Sequence, residues 1–465
     1  MTRPRTAQHA RASRPFAARP LWTAAATLAA AVACLGCQLN SHKDPSMPPT
    51  PFTEFGLDPK PVAAPEPRRI VPLTQPARAA SARPSPSDPD GALQPFANAQ
   101  RNSRLPASLP AAESWDRAVT VPIAEDFIPH GLVASDRVVV LSTPMGLLAF
   151  GPDGKQIGGR IDALTDGVIA PTQSHVLCAD SNGFIAGHPL AAGAPRFQLS
   201  PSFGNVYRRD FFAFLGGRLV VVGQKSIPPV ERRETEPPKP EAIIDAWDWP
   251  ETIKTDEDGY ADNAPKVRSI ITPTPTLAAA AVGEALVVAV PDHIYTIDRE
   301  LNVQSDLTGE FYPLALCCDS HGRIYLIARG TPAGRLLVIT PDARQLFATD
   351  LPPPPRGGYA PPIVGYDHTI YIPTEDRIVV LDSSGKAQPP IPIQGRFAGA
   401  AVTADHHLLV ASGDRLVAHT VGAEPTVIAE FPGEAVRTAP VLLRSGVIWI
   451  ATDRNLYALK PVPRQ

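Results

Sequence analysis

Hydrophobic positions in the carboxy-terminal part of the chain fall into short runs that polar turns separate. Residues 438–460 show this most plainly, since three apolar runs of about five residues alternate with turns that contain Gly, Ser, Asp and Asn. Short runs of β-branched and aromatic residues indicate strands rather than helices. The segment is therefore predicted to be an antiparallel meander.

The same succession of runs recurs along the chain with a period of about 40 residues. The first runs of the repeats begin near Pro129, Pro171, Phe211, Pro275, Pro313, Pro361, Ala398 and Pro440. Second, third and weaker fourth runs follow within most repeats. Four short strands in a unit of this length are typical of a β-propeller blade. We therefore predict an all-β protein, an eight-bladed β-propeller of four-stranded antiparallel blades.

The last repeat lacks a fourth run, because only five residues follow Lys460. Residues 118–121, Ala-Val-Thr-Val, precede the first repeat and belong to no other unit. Pairing the two ends would cover strand edges that otherwise invite aggregation. We predict that this N-terminal strand closes the last blade.

The propeller is predicted to span residues 115–465, with one insertion. Residues 224–265 are charged and Pro-rich, and they are too long for a turn within a blade. Long insertions in repeat folds usually form loops on one face, which is often the functional one.

Residues 1–36 have the pattern of a signal peptide. Five arginines and no acidic residue precede an Ala- and Leu-rich run from Leu21 to Leu35. The run has about 15 residues, fewer than the roughly 20 of a membrane span. The sequence Ala-Cys-Leu-Gly-Cys at 33–37 resembles a bacterial lipoprotein cleavage box, which predicts lipid attachment at Cys37, or alternatively at Cys34. An ordinary secretory signal and an uncleaved anchor stay open, and all of these predict export, to the periplasm or the cell surface.

Residues 37–114 are rich in Pro, Ala, Ser and Arg. Such a composition predicts a disordered tether, or alternatively a Pro-rich ligand for a partner. Without the signal peptide the formal net charge falls from −3 to −8, because the five arginines are lost. Bulk charge of this sign argues against nucleic-acid binding.

Two phrases carry a resemblance to a known family. Residues 453–459, Asp-Arg-Asn-Leu-Tyr-Ala-Leu, and residues 375–386 are similar to the repeats of pyrroloquinoline-quinone-type propellers. That superfamily includes quinoprotein dehydrogenases and BamB-like lipoproteins of outer-membrane protein assembly. The resemblance covers about residues 115–460 and implies the fold; the docking tryptophan that the quinone enzymes repeat in each blade does not recur here.

Several side chains are candidates for binding. Arginines that precede predicted first strands could form a positive crown at one end of the channel, for an anion or an acidic segment of a partner. They are Arg208, Arg209, Arg268, Arg356, Arg396 and Arg437. Nearby acidic residues leave a paired polar rim as the alternative.

Two more candidates lie in the insert. Trp247 and Trp249 would share one face of a strand, which predicts packing on the propeller or a partner-binding patch. Asp256, Asp258 and Asp262 alternate around a glycine and could bind calcium, although the distal Glu of an EF-hand is missing; a solvated acidic loop is the alternative.

Catalytic motifs are weaker than the fold signal. The family resemblance would imply a disulfide between Cys317 and Cys318 above a quinone, but alternation along a strand sends adjacent side chains to opposite faces and favours buried thiols. The function predicted is an exported, lipid-anchored propeller that binds or scaffolds a protein of the bacterial cell envelope, with no cofactor; the family resemblance would place it in outer-membrane protein assembly. The alternative is a propeller enzyme, either a quinoprotein oxidoreductase or a calcium-dependent lactonase suggested by residues 319–325.

Overall fold

The computed structural model describes fifteen stretches of the chain and leaves the rest undescribed. These are residues 52–54, 60–72, 103–161, 170–171, 175–179, 184–190, 196–199, 206–225, 241–250, 252–257, 259–272, 274, 276–330, 333–355 and 358–463. All of them belong to one compact unit, Thr50–Gln465. The predicted signal peptide and Cys37 lie outside the described residues.

Eight small antiparallel sheets form a ring, which confirms the predicted eight-bladed propeller. Blade 1 comprises Gly131–Ala134, Val139–Thr143 and Gly146–Phe150, and blade 2 comprises Ala170–Pro171, His175–Ala179, Ile185–Pro189 and Phe197–Gln198. Blade 3 comprises Val206–Leu215, Arg218–Lys225, Glu241–Asp248 and Lys266–Thr272, and blade 4 comprises Ala278–Val282, Ala285–Val290, His293–Asp298 and Val303–Thr308. In blade 1 the fourth position is occupied by residues 156–161, through isolated bridges.

The second half of the ring follows the same order. Blade 5 comprises Pro313–Cys318, Ile324–Arg329, Gly334–Ile339 and Arg344–Leu351, and blade 6 comprises Ile363–Val364, Ile370–Pro373, Arg377–Leu381 and Ala387–Pro392. Blade 7 comprises Phe397–Val402, Leu408–Ser412, Arg415–His419 and Thr426–Glu430, and blade 8 comprises Val441–Leu442, Ile448–Ala451, Asn455–Pro463 and Ala112–Pro122.

The predicted closing strand is confirmed and is longer than expected. Ala112–Pro122 pairs antiparallel with Asn455–Pro463, and Val121 lies opposite Leu456. Thr120 and Val119 follow opposite Tyr457 and Ala458. The two ends of the propeller domain therefore share one blade.

Burial follows the position of a strand within its blade. Every residue of the second strands Val139–Thr143 and Leu408–Ser412 is buried, because both faces pack on neighbouring blades. The fourth strand Ala387–Pro392 has no buried residue. The core consequently consists of clusters between adjacent blades rather than one central cluster.

The N-terminal segment differs from the predicted tether. Thr53–Glu54 pairs with the fourth strand of blade 3 and with Lys60–Pro61, while Arg68–Arg69 and Val71–Pro72 pair parallel with the fourth strands of blades 4 and 5. Composition indicates only that such a segment cannot form a sheet by itself. Here each short strand obtains its hydrogen-bond partners from an existing blade edge.

The insert also differs from a plain loop. Glu241–Asp248 pairs along its whole length with Arg218–Lys225 as the third strand of blade 3. Its Ile243, Ile244 and Trp247 are buried, and this burial outweighs the charged flanks. In the part of the chain that the structure describes, no helix has the length and apolar character needed to span a membrane.

Candidate functional site

A short stretch of the N-terminal segment lies inside the ring. Arg104 forms a parallel bridge with Val402, at the end of the first strand of blade 7. The other edge of that strand pairs with Leu408–Ser412, so Arg104 occupies the channel side. Residues 103–110 therefore enter the central channel.

The contacts of this stretch span the channel. Arg104 Nε and Nη2 donate to the carbonyl oxygens of Val364 and Gly365 in blade 6, each at 2.6 Å. Leu105 is fully buried among side chains of blades 1, 7 and 8. This end of the channel is consequently blocked by residues 103–110, which we call the plug.

A blind pocket of about 250 Å³ remains at the other end, where the first strands begin. Its walls are mainly small and apolar and include Ala360, Phe397, Ala398, Gly399 and Ala439. Ser103, at the start of the plug, forms the wall on that side. Its described lining contains no acidic side chain. Because calcium needs carboxylate ligands, the donor set does not fit a calcium-held quinone.

The outer rim contains crevices between blades, and the chain fills one of them with its own side chains. Phe52 and Val62 are buried in the cluster between blades 3 and 4. The ring of Phe52 meets Tyr295 edge-on, with centroids 4.9 Å apart. Ile70 packs in the same way on the cluster between blades 4 and 5. Extended segments with apolar side chains thus cover part of the rim on this side.

We call the corresponding space between blades 6 and 7 the 6–7 crevice. Its volume is about 480 Å³, and its walls are Tyr371, Val380, Pro389, Pro390, Ile391, Pro392, Val410, Ser412, Val417, His419, Val421 and Val427. The inner part of this interface is filled by buried side chains such as Ile378 and Leu408, and the crevice lies outside this cluster. Val421 and Val427 are 51% and 49% exposed. No described residue of the N-terminal segment lines the crevice.

A few polar groups surround the apolar walls of the 6–7 crevice. Arg415 lies 3.1 Å from Glu430 and 3.7 Å from Asp414, so its charge is shared at the rim. Burial lowers the pKa of His419 below its ordinary value, which keeps the imidazole neutral at neutral pH. An apolar cavity of this size with few polar groups has the character of a binding site.

The predicted arginine crown is not assembled among the described arginines. Arg268 lies in the fourth strand of blade 3, where its Nη1 donates to Glu300 O at 3.1 Å and Asn302 Oδ1 at 2.9 Å. The third strand of this blade lies within the insert and is not recognisable from the sequence. The sequence of the fourth strand therefore resembles the segment that precedes the first strand of a new blade. Arg268 therefore faces the outer part of the propeller.

The other arginines contribute little positive charge to the predicted crown. Arg396 is exposed before the first strand of blade 7, and Arg437 lies 3.7 Å from Asp453. Neither lines the blind pocket. Arg208 and Arg209 lie within the strand Val206–Leu215, and Arg356 is outside the described residues.

The tryptophans of the insert pack on the propeller. Trp247 is buried with Leu177, Phe197 and Phe212, in the cluster between blades 2 and 3. Trp249 is half-buried and meets Phe214 edge-on at 5.4 Å. Trp247 therefore packs on the propeller, which is the first of the two interpretations. Trp249 is only partly covered, and one edge of its ring remains accessible.

The predicted calcium loop forms a local turn. Asp256 Oδ1 accepts a hydrogen bond from Tyr260 N at 2.8 Å, and Asp262 N donates to Lys254 O. Asp258 lies outside the described residues. Among the residues that are described, no metal-type group of three includes Asp256 or Asp262.

The adjacent cysteines are buried on opposite faces of their strand. Cys317 packs between blades 5 and 6, and Cys318 packs between blades 4 and 5, and the two are not joined in a disulfide. Burial raises the pKa of the Cys318 thiol well above its ordinary value. The pair therefore lacks the accessible thiolate that redox chemistry requires.

Comparisons with known proteins identify no family. No protein-family model and no curated protein matches the chain. Similar solved structures include the computationally designed Ika8 protein, with 11% identity, a TM-score of 0.47, and coverage of 72% of this chain and 97% of that chain. BamB from Moraxella catarrhalis has 11% identity, a TM-score of 0.43, and coverage of 74% and 99%. The Pan2 WD40 domain of Neurospora crassa has 13% identity, a TM-score of 0.41, and coverage of 77% and 98%. Identities this low carry no information on function.

Sequence reasoning missed the 6–7 crevice and the segments that complete the rim. Val421 and Val427 flank a turn, and no motif distinguishes them from ordinary surface valines. The Pro-rich strand Ala387–Pro392 was a possible signal, because prolines on an edge strand prevent further strand pairing.

Proposed function

We propose that this protein is an exported, lipid-anchored propeller that binds a partner protein in the bacterial cell envelope. The 6–7 crevice is the binding site, and its occupant is an extended segment of the partner that carries an apolar side chain. The observation that carries the proposal is the packing of Phe52 between blades 3 and 4. That contact demonstrates how a crevice of this ring accepts an extended segment.

Physical chemistry favours such an occupant. Val421 and Val427 are about half exposed beside the cavity, and covering them would remove apolar surface from water. The prolines of Ala387–Pro392 remove backbone donors from one wall, so side chains rather than a continuous β-ladder supply the affinity. Export and the lipid anchor at Cys37 rest on the sequence pattern of residues 1–37. A role in outer-membrane protein assembly is the finer proposal, and it rests on the family resemblance alone.

The proposal is tested with a matched pair of charged variants in the full-length protein. Val427→Asp places a carboxylate in the crevice, whereas Val267→Asp changes a valine of similar exposure on blade 3. We expect Val427→Asp to reduce recovery of a specific envelope protein at least tenfold, while Val267→Asp retains it and both variants keep the wild-type melting temperature. Equal recovery with both variants contradicts the proposal.

Two further assays on the same material separate the alternatives. Incorporation of labelled palmitate that is lost in Cys37→Ala and retained in Cys34→Ala supports the anchor, and the reverse pattern moves it to Cys34. Quinone or calcium in stoichiometric amounts in the purified protein would favour the enzyme interpretation instead.

A further inference from the structure

A cluster of Asp, His and Tyr side chains lies at the plugged end of the ring. The turn from Asp319 to Arg323 joins the first two strands of blade 5, and the turn from Gly365 to Thr369 does the same in blade 6. Both turns close with the same pair of backbone hydrogen bonds. Because the blades are adjacent, the two turns bring their side chains together.

Asp319 is fully buried and firmly held. Its Oδ1 accepts hydrogen bonds from the backbone N–H groups of His321 at 2.9 Å and Arg323 at 3.0 Å. Its Oδ2 accepts one from Tyr325 Oη at 3.0 Å. These three hydrogen bonds fix the direction of the carboxylate.

His368 faces this carboxylate from the next blade. Its Nδ1 lies 3.2 Å from Asp319 Oδ2, and its side chain is 1% exposed. Its backbone is left-handed, with φ of 63°, at a turn position that blades 5 and 8 fill with Gly322 and Gly446. A side chain in this region costs about 1 kcal/mol or more. The fold therefore places an imidazole here in spite of backbone strain.

His321 completes the group from the solvent side. Its ring centroid lies 5.7 Å from that of His368. Ligand atoms of Asp319, His321 and His368 all lie within 4.8 Å of one another, the one such group of three in the described part of the chain. His321 is exposed, so its ring is the solvent-facing member of the group.

We propose that Asp319, His321 and His368 form a site for a divalent transition-metal ion, and that zinc fits it best. Bonds of about 2.0–2.1 Å to nitrogen and oxygen in a tetrahedron separate ligand atoms by about 3.4 Å, close to the 3.2 Å between Asp319 Oδ2 and His368 Nδ1. Two imidazoles and one carboxylate suit zinc, cobalt and nickel rather than calcium or magnesium. A neutral His368 offers the Nδ1 lone pair when its proton is on Nε2.

Tyr325 and the two backbone donors support the site without binding the ion. The Tyr325 hydroxyl donates to Asp319 Oδ2 at 3.0 Å. Such donors orient a ligating carboxylate. Arg104, in the plug, also favours the ionised carboxylate electrostatically. The ion would therefore tie together blade 5 and blade 6 beside the plugged channel.

The test is a titration of the full-length protein, freed of metal by a chelator, with cobalt followed by absorption and with zinc followed by calorimetry. We expect one ion per chain and cobalt bands of tetrahedral intensity. His321→Ala removes an exposed ligand without disturbing the buried pair, and should weaken affinity at least tenfold. At the same zinc concentration, zinc should raise the melting temperature of the wild type more than that of this variant.

His406→Asn is the matched control. His406 has the equivalent left-handed position in blade 7, with φ of 68°, and Asn tolerates that conformation. We expect it to bind zinc as the wild type does. The proposal would be overturned if the wild type gave no heat of zinc binding and no cobalt absorption bands. It would also be overturned if the wild type and His321→Ala bound zinc with equal affinity. None of these outcomes depends on whether a partner occupies the 6–7 crevice.

Discussion

Glu434 shows how one side chain organises the closing blade. Its carboxylate accepts hydrogen bonds from Tyr457 Oη at 2.8 Å and Asn455 Nδ2 at 3.1 Å, and also from the hydroxyl of Thr452. Partial burial alone would raise its pKa, but these hydrogen bonds and the charge of Arg117 lower the pKa below the ordinary 4.5. The ionised form is consequently the one that stabilises this end of the ring.

The sign of the pH dependence follows from this shift. Because the pKa is lowered in the folded protein, the stabilisation is present above about 4.5 and is lost as pH falls through the lowered value. We predict that Glu434→Gln lowers the free energy of unfolding by about 1–3 kcal/mol at pH 7 and by much less at pH 3. Denaturant titrations at both values measure it. Glu424→Gln, at an exposed turn, serves as the control, and an equal deficit of Glu434→Gln at both values contradicts the assignment.

At the residue scale the sequence located individual side chains poorly. Arg268 was predicted at the channel and lies in a fourth strand, because counting repeats cannot locate a strand hidden in an insert. Asp319 and His368 come from different repeats, so no local spacing connects them. The burial of Trp247 was easier to predict, because an indole between alternating acidic residues already indicates one buried face.

At the scale of elements, most strands were predictable and the short edge strands were not. Five-residue runs such as Leu408–Ser412 have enough periodicity to predict a strand. Thr53–Glu54, Arg68–Arg69 and Val71–Pro72 are two residues each, too short for any pattern. Their structure depends on blade edges that exist only once the ring has formed.

The closing strand allows a direct test of register. Ser114 lies opposite Val462 in the pairing of Ala112–Pro122 with Asn455–Pro463. Directly opposed residues in an antiparallel pair are close enough for a disulfide. We predict that oxidised Ser114→Cys/Val462→Cys forms an intramolecular bond that stabilises the fold by about 2–4 kcal/mol.

Mobility on non-reducing gels and melting curves with and without reductant measure this effect. Ser114→Cys alone is the control, and it also accounts for the natural cysteines. Dimers in place of a faster-migrating monomer would contradict the register.

At the scale of the whole molecule, the ring was predictable because a period of about 40 residues and an orphan N-terminal strand are both properties of the sequence. The binding site on the ring was not predictable from the sequence. Phe52 fills the crevice between blades 3 and 4, whereas no described residue of the N-terminal segment lines the 6–7 crevice, and this asymmetry depends on the path of an irregular segment. Function in a propeller depends on such differences between otherwise equivalent blades.

The most direct test of the central claim is site-specific photo-crosslinking at Val427 in cells that make the protein, with Val267 as the matched position on blade 3. A photoreactive phenylalanine at each site is irradiated, and the attached peptide is identified by mass spectrometry. We predict that position 427 attaches to an apolar, extended segment of another protein and that position 267 does not. Attachment of position 427 only to this chain itself, or the same adducts from both positions, would contradict the account.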